Sequence, residues 1–212
     1  MDIHPPHRAL TSLSQFLREL VTITAGILIA LTLEGLVNWR HHRTLAREAR
    51  ANILNEVREN QHDLTKERED LRKAEQDGQV LITLVHQLET NRKTSMRQVQ
   101  YTFSIAELHS TSWNTASTTG ALSFMPYTEV KRYTEVYDLQ HAFTALQERA
   151  FAASLDVQGL ATLLSRNPAT LTTAELSDAE RRLGIALADV AAMDQIAEPL
   201  NRRYGELLKG TP

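Results

Sequence analysis

Apolar residues recur with helical spacing over most of the chain. The positions 53, 57, 60, 64, 67, 71, 74, 78, 81, 85 and 88 hold Ile, Val, Asn, Leu, Glu, Leu, Ala, Gly, Leu, Val and Leu. This 4-3 alternation is a coiled-coil-type seam on one long helix, interrupted at Asn60 and Glu67. Gly78 after Asp77 predicts a kink or a short break. A second helix is expected over about 101–118, closed by Gly120. Pro126 opens a third, whose seam at 136, 139, 143, 146, 150, 153, 157, 160 and 164 is apolar throughout. Asn167-Pro168 ends it. Thr172 or Thr173 caps a fourth, with Glu175 in its first turn and Pro199 as a late kink. Strand-type alternation is absent, so the fold class is all-α: a long-helix antiparallel bundle.

Ahead of this body the pattern changes. Leu20 to Leu33 carries no charge, and with Glu34 through Trp39 the segment reaches the ~30 Å that about 20 helical residues span. Trp39 followed by Arg40, His41, His42 and Arg43 reads as an interfacial belt and charged stop. A cleaved signal peptide needs small residues in an A-x-A-like pattern after the apolar run, and Leu33-Glu34-Gly35-Leu36 has none. The expected organisation is a tail over 1–19, a transmembrane helix over 20–39 and a bundle over 40–212.

Within the apolar segment Thr22, Gly26, Ala30 and Glu34 recur every four residues and share one face, continued by Asn38. Gly26 and Ala30 form a small-xxx-small pair that lets two membrane helices approach closely, and Glu34 needs a polar partner or a route to the headgroups. Pairing of two copies through this helix and the long helix is therefore expected. Beyond it, Arg40, Arg43, Arg47 and Arg50 form a basic stripe on one helix face, suited to anionic headgroups of the lipid bilayer.

Glu19, the run Gly26-Ile-Leu-Ile-Ala-Leu31 and Trp39 together resemble a group of uncharacterised bacterial single-pass membrane proteins in which a Glu precedes a G-I-L-I-A-L run by seven residues. The block Trp113-Asn-Thr-Ala-Ser-Thr-Thr-Gly-Ala-Leu122, with Met125, Tyr133 and Tyr137, looks like a recurring feature of the same group. The resemblance implies a bacterial membrane protein and brings no known activity; the inner membrane is the expected location.

Composition narrows the chemistry. The chain carries 23 Lys+Arg against 26 Asp+Glu, so nothing in its charge points to nucleic acid. With no cysteine, thiolate zinc sites, iron–sulfur clusters and cysteine nucleophiles are excluded together. Glu59-x-x-His62 with Asp138-x-x-His141 has the carboxylate-x-x-His spacing of di-iron bundles. A chain this rich in acids, with eight histidines, produces such pairs by chance, and the inward-facing Asn60 and Leu64 turn His62 outward. His4, His7, His41 and His42 read as tail and headgroup histidines, so no metal and no cofactor is expected. No nucleophile–base or acid–base pair stands out, and the chain is read as a non-enzyme.

Nine of the twelve aromatics fall between Tyr101 and Phe151. Trp113, Tyr127, Tyr133 and Tyr137 are consistent either with a small-ligand pocket or with a core cluster whose tyrosine tips reach water. Orientation rests on two opposing indications. Two arginines (Arg8, Arg18) precede the apolar helix and five follow it through Arg58, which favours a cytoplasmic body. The resemblance implies an extracytoplasmic one, and a periplasmic body is the expectation adopted. The functional expectation is a membrane-anchored structural, protein-interaction or sensory module with an unknown protein partner. A periplasmic ligand sensor is the alternative, and a bundle metalloenzyme a more distant one.

Overall fold

Four α-helices account for most of the chain in the computed structural model, which describes residues 13–92, 101–164 and 167–210: α1 (Leu13–Thr90), α2 (Thr111–Thr118), α3 (Tyr127–Leu164) and α4 (Thr173–Lys209). Short 3-10 turns at Ala121–Phe124 and Pro168–Thr170 join them, and no strand occurs among the described residues. His4, His7 and Arg8 lie outside the described residues, as does the side chain of Leu164. The chain divides into two units, Met1–Glu48 and Ala49–Pro212, and α1 contributes to both.

In the first unit α1 carries a stretch, Leu20 to Val37, in which apolar residues occupy most positions and Glu34 is the one charged residue. Leu20, Val21, Ile23, Ile27, Leu28, Ile29, Leu31, Leu33, Leu36 and Val37 are each between 48% and 66% exposed. Covered by no protein, the helix is long and apolar enough to cross a membrane, with a mean hydropathy of 2.1 over its best 18 residues. The Thr22 and Thr32 hydroxyls donate to the carbonyls of Arg18 (2.9 Å) and Leu28 (2.7 Å), which satisfies them within the helix.

In the second unit α1, α3 and α4 pack as a bundle. Pairs between α1 and α3 (Arg50 with Glu129, Glu56 with Tyr137, Asn60 with Gln140) ascend together, so these helices run parallel. α4 opposes both, since Gln61 meets Asn201, Arg68 meets Asp194, His86 meets Glu180 and Gln140 meets Tyr204. The parallel pair requires a return path, and residues 101–110 supply it as an extended connector running antiparallel to α1 and α3.

The α1 seam is buried at every predicted position, Asn60 (0% exposed) and Glu67 (3%) included. Asn60 and Glu67 do not interrupt it; they face the connector. The helix is also unbroken at Gly78. A Cβ there would lie 2.6 Å from Leu187 Cδ2, so the glycine lets α4 approach and does not bend α1.

Two other expectations change. The second helix occupies 111–118 only, because side chains of α1 and α3 bind the backbone of 101–110 in place of a helical ladder. The buried face of α3 runs through Tyr133, Val136, Tyr137, Gln140, Phe143, Gln147, Ala150, Ser154, Val157 and Leu160, so it is not free of polar residues. Leu139, Leu146 and Ala153 flank it, half-buried. The purely apolar core lies at the other end of the bundle, where Leu81, Val85, Leu88, Val157, Leu160, Leu176 and Leu183 cluster.

Helix ends follow local chemistry. Gly120 adopts φ 75° after α2, a left-handed turn suited to glycine. At α4, Thr172 accepts from the Glu175 N–H (3.2 Å) and the Glu175 carboxylate accepts from the Thr172 N–H (2.8 Å), a reciprocal capping box. α4 then continues through Pro199 to Lys209.

Candidate functional site

The most organised polar region joins α1, the connector, α2, α3 and α4 in the half of the bundle around Glu56 to Glu67. An extended segment among helices carries backbone groups that no ladder satisfies, and each must find a partner. The peptide of His109 is held by two amides: its N–H donates to Asn60 Oδ1 (2.8 Å), and its carbonyl accepts from Asn60 Nδ2 (2.7 Å) and Gln140 Nε2 (2.9 Å). Gln140 Oε1 accepts in turn from Asn60 Nδ2 (3.2 Å) and from the Tyr204 hydroxyl (2.7 Å). Two turns further along α3, Gln147 brackets Ala106, accepting from its N–H and donating to its carbonyl, both at 3.0 Å. These amides take the place that neighbouring residues would fill in a sheet.

Glu56, 5% exposed, is the second element of the region. Ser110 makes no side-chain cap for α2. The Glu56 carboxylate supplies the cap from α1 instead, accepting from the N–H groups of Ser112 (2.7 Å) and Trp113 (3.4 Å). A negative group at a helix start satisfies orphan donors and the local dipole together. The Tyr137 hydroxyl also donates to Glu56, at 2.6 Å. Burial and the neighbouring carboxylate push the Tyr137 hydroxyl up, and burial does the same for Tyr133 and Tyr204, so all three stay neutral as donors. Beside Glu56 lies a shallow polar hollow of about 320 Å³ lined by Asn52, Asn55, Glu59, His109, Thr111 and Ser112.

Three of the four expected pocket aromatics come together. Trp113 stacks on Tyr137 with ring centres 5.2 Å apart and 12° between planes, and lies 6.5 Å from Tyr133. Tyr127 does not join them; it is 81% exposed at the start of α3. The tyrosine tips do not reach water, because Tyr133 donates to Glu129 (2.9 Å) and Tyr137 to Glu56. The aromatics are packed as a core with its hydroxyls satisfied. Glu59, His62, Asp138 and His141 are all exposed.

Of the basic stripe, Arg40, Arg43 and Arg47 are exposed, and Arg43 lies over the Trp39 ring, 5.3 Å from its centre. Arg50 is engaged elsewhere, bidentate to Glu129 at 2.5 and 2.8 Å. Gly26 has no atom near its Cβ position, and Ala30 and Glu34 are exposed with it on the apolar part of α1.

Sequence reasoning passed over Glu56, Gln140 and Gln147. Glu56 lies three residues after Ile53 and four before Asn60, on the seam side of α1, and that spacing was its signal. No protein-family model matches the chain, and no curated protein or solved structure matches it either.

Proposed function

We propose that the chain is a single-pass protein of the bacterial inner membrane whose helical bundle acts without catalysis, as a structural, protein-interaction or sensory module on the periplasmic side. The observation that carries the membrane reading is the apolar stretch of α1, exposed on every side with no protein to cover it. Trp39 and the exposed Arg40, Arg43 and Arg47 follow it directly, as an aromatic anchor and headgroup-binding cations do at an interface. The resemblance carried by Glu19, Gly26–Leu31 and Trp39 supports the bacterial and periplasmic parts.

The polar region supports a non-catalytic bundle. Its carboxylate, amides and hydroxyls are spent on one another and on the backbone of the connector and α2. Pairing of two copies belongs to the apolar helix alone in this reading, since the α1 seam is used within the chain. The stacking of Trp113 on Tyr137 favours a packed aromatic core over the small-ligand alternative.

Two measurements test the proposal together. Alkaline carbonate washing of membranes should leave the protein in the pellet, and its release would reject the anchor. A dual phosphatase and fluorescent-protein reporter fused after Pro212 should show phosphatase activity. Fluorescence instead would put the bundle in the cytoplasm and uphold the arginine count.

A further inference from the structure

Ser104 Oγ lies 2.8 Å from Glu67 Oε2 and 2.8 Å from Asp70 Oδ2. A hydroxyl has one proton to donate, and an ionised carboxylate only accepts. With both acids ionised, one of the two contacts would set oxygen against oxygen with no hydrogen between them. A second proton removes the conflict. Glu67 is the acid to hold it, because it is 3% exposed whereas Asp70 is half-buried. Its other oxygen, Oε1, is buried with no hydrogen-bond partner, which suits a neutral carbonyl and penalises a carboxylate.

We propose that Glu67 is a proton-binding site that fastens the connector to α1, its carboxyl proton donated to Ser104 Oγ while the Ser104 hydroxyl donates to the Asp70 carboxylate. The bound proton makes Glu67 a donor, as the amide of Asn60 is a donor two turns earlier in the same seam. Loss of that proton leaves two negative groups on one hydroxyl and an uncompensated carboxylate in the core, so Ser104 is released and the connector loosens at this point.

The surroundings agree. Burial raises Glu67 above the ordinary glutamate value, the Ser104 bond opposes it, Asp70 raises it further and Lys66 lowers it. Both charged groups that act on it, Asp70 and Lys66, belong to α1. The connector brings the Ser104 hydroxyl, α3 at this level brings the buried, uncharged Gln147, and the α4 acids Asp194 and Glu198 are paired with Arg68 of α1. Because the folded state favours the protonated form, this contribution is complete below the ordinary value of 4.5 and is lost as pH rises through the folded-state value.

The test follows the infrared carbonyl band of protonated carboxyl groups in the full-length protein in detergent micelles, from about pH 4 to pH 9. One carboxyl should titrate above the rest, and Glu67→Gln should remove that late band. Bands that all vanish together, or a late band that survives in Glu67→Gln, would overturn the site. Asp70→Asn should move the late midpoint down by removing the neighbouring negative charge; an unmoved midpoint would overturn the shared hydroxyl. The melting temperature of the unaltered protein should fall across that titration while that of Glu67→Gln stays level. If Glu67→Gln does not fold, the wild-type band and the Asp70→Asn shift still decide.

Discussion

Arg50 stands one turn beyond Arg47 on α1, yet its guanidinium is bound by Glu129 while Arg40, Arg43 and Arg47 are exposed. The pair is partly shielded, with the arginine side chain 34% exposed and the glutamate 14%. Hydrogen bonds from Arg50 hold the Glu129 carboxyl below the usual carboxylate range, against burial and with help from Tyr133. A depressed carboxyl stabilises the fold above its unfolded value and loses that contribution as pH falls through the folded one. Arg50→Ala should therefore cost about 1.5 kcal/mol at neutral pH, after discounting for the exposed half of the pair, and much less in acid where Glu129 is protonated. Urea unfolding at both pH values, in detergent, checks it; an equal loss at both would make the effect one of packing.

Among elements, the connector departs most from what the sequence pattern conveys. The α1 seam was legible down to Asn60 and Glu67, because a 4-3 repeat marks a face whatever occupies it. What those two residues do was not legible, since their partner is backbone, and a peptide group has no sequence signature. The same blindness made Tyr101 to Ser110 look helical: its residues have adequate helix propensity, and tertiary amides from Asn60, Gln140 and Gln147 override it. Gly78 was legible as special but for the wrong reason, as the close approach of Leu187 is a property of the neighbouring helix. Trp113, Tyr133 and Tyr137 lie together as their proximity along the chain suggested, and Tyr127 falls outside because six residues before Tyr133 is off the buried face of α3. Gln147→Ala leaves the buried N–H and carbonyl of Ala106 unpaired, which should cost about 3 kcal/mol. Gln147→Glu sets a buried carboxylate against the Ala106 carbonyl at neutral pH and regains a donor when protonated, so in thermal unfolding its loss should be smaller in acid than at neutral pH.

For the whole molecule, the two units place different demands on one continuous helix sequence. The part from Ala49 onward buries one seam, while the apolar part buries none, which leaves Gly26, Ala30 and Glu34 open to the second copy proposed above. Gly26→Ile should abolish self-association in a membrane two-hybrid assay without changing the unfolding of the bundle; an undiminished signal would mean that the copies pair by another face. The extended connector carries a consequence of its own for how the bundle assembles. Its amides take their acceptors from α1 at Asn60 and from α3 at Gln147, helices that are distant in sequence and lie parallel, so no local event can protect them. His109 thus becomes protected only once the connector has docked on α1, and Ala106 only once α3 has docked as well. In native-state hydrogen exchange, as a segment with no ladder of its own, the connector should be the first buried part of the bundle to let go.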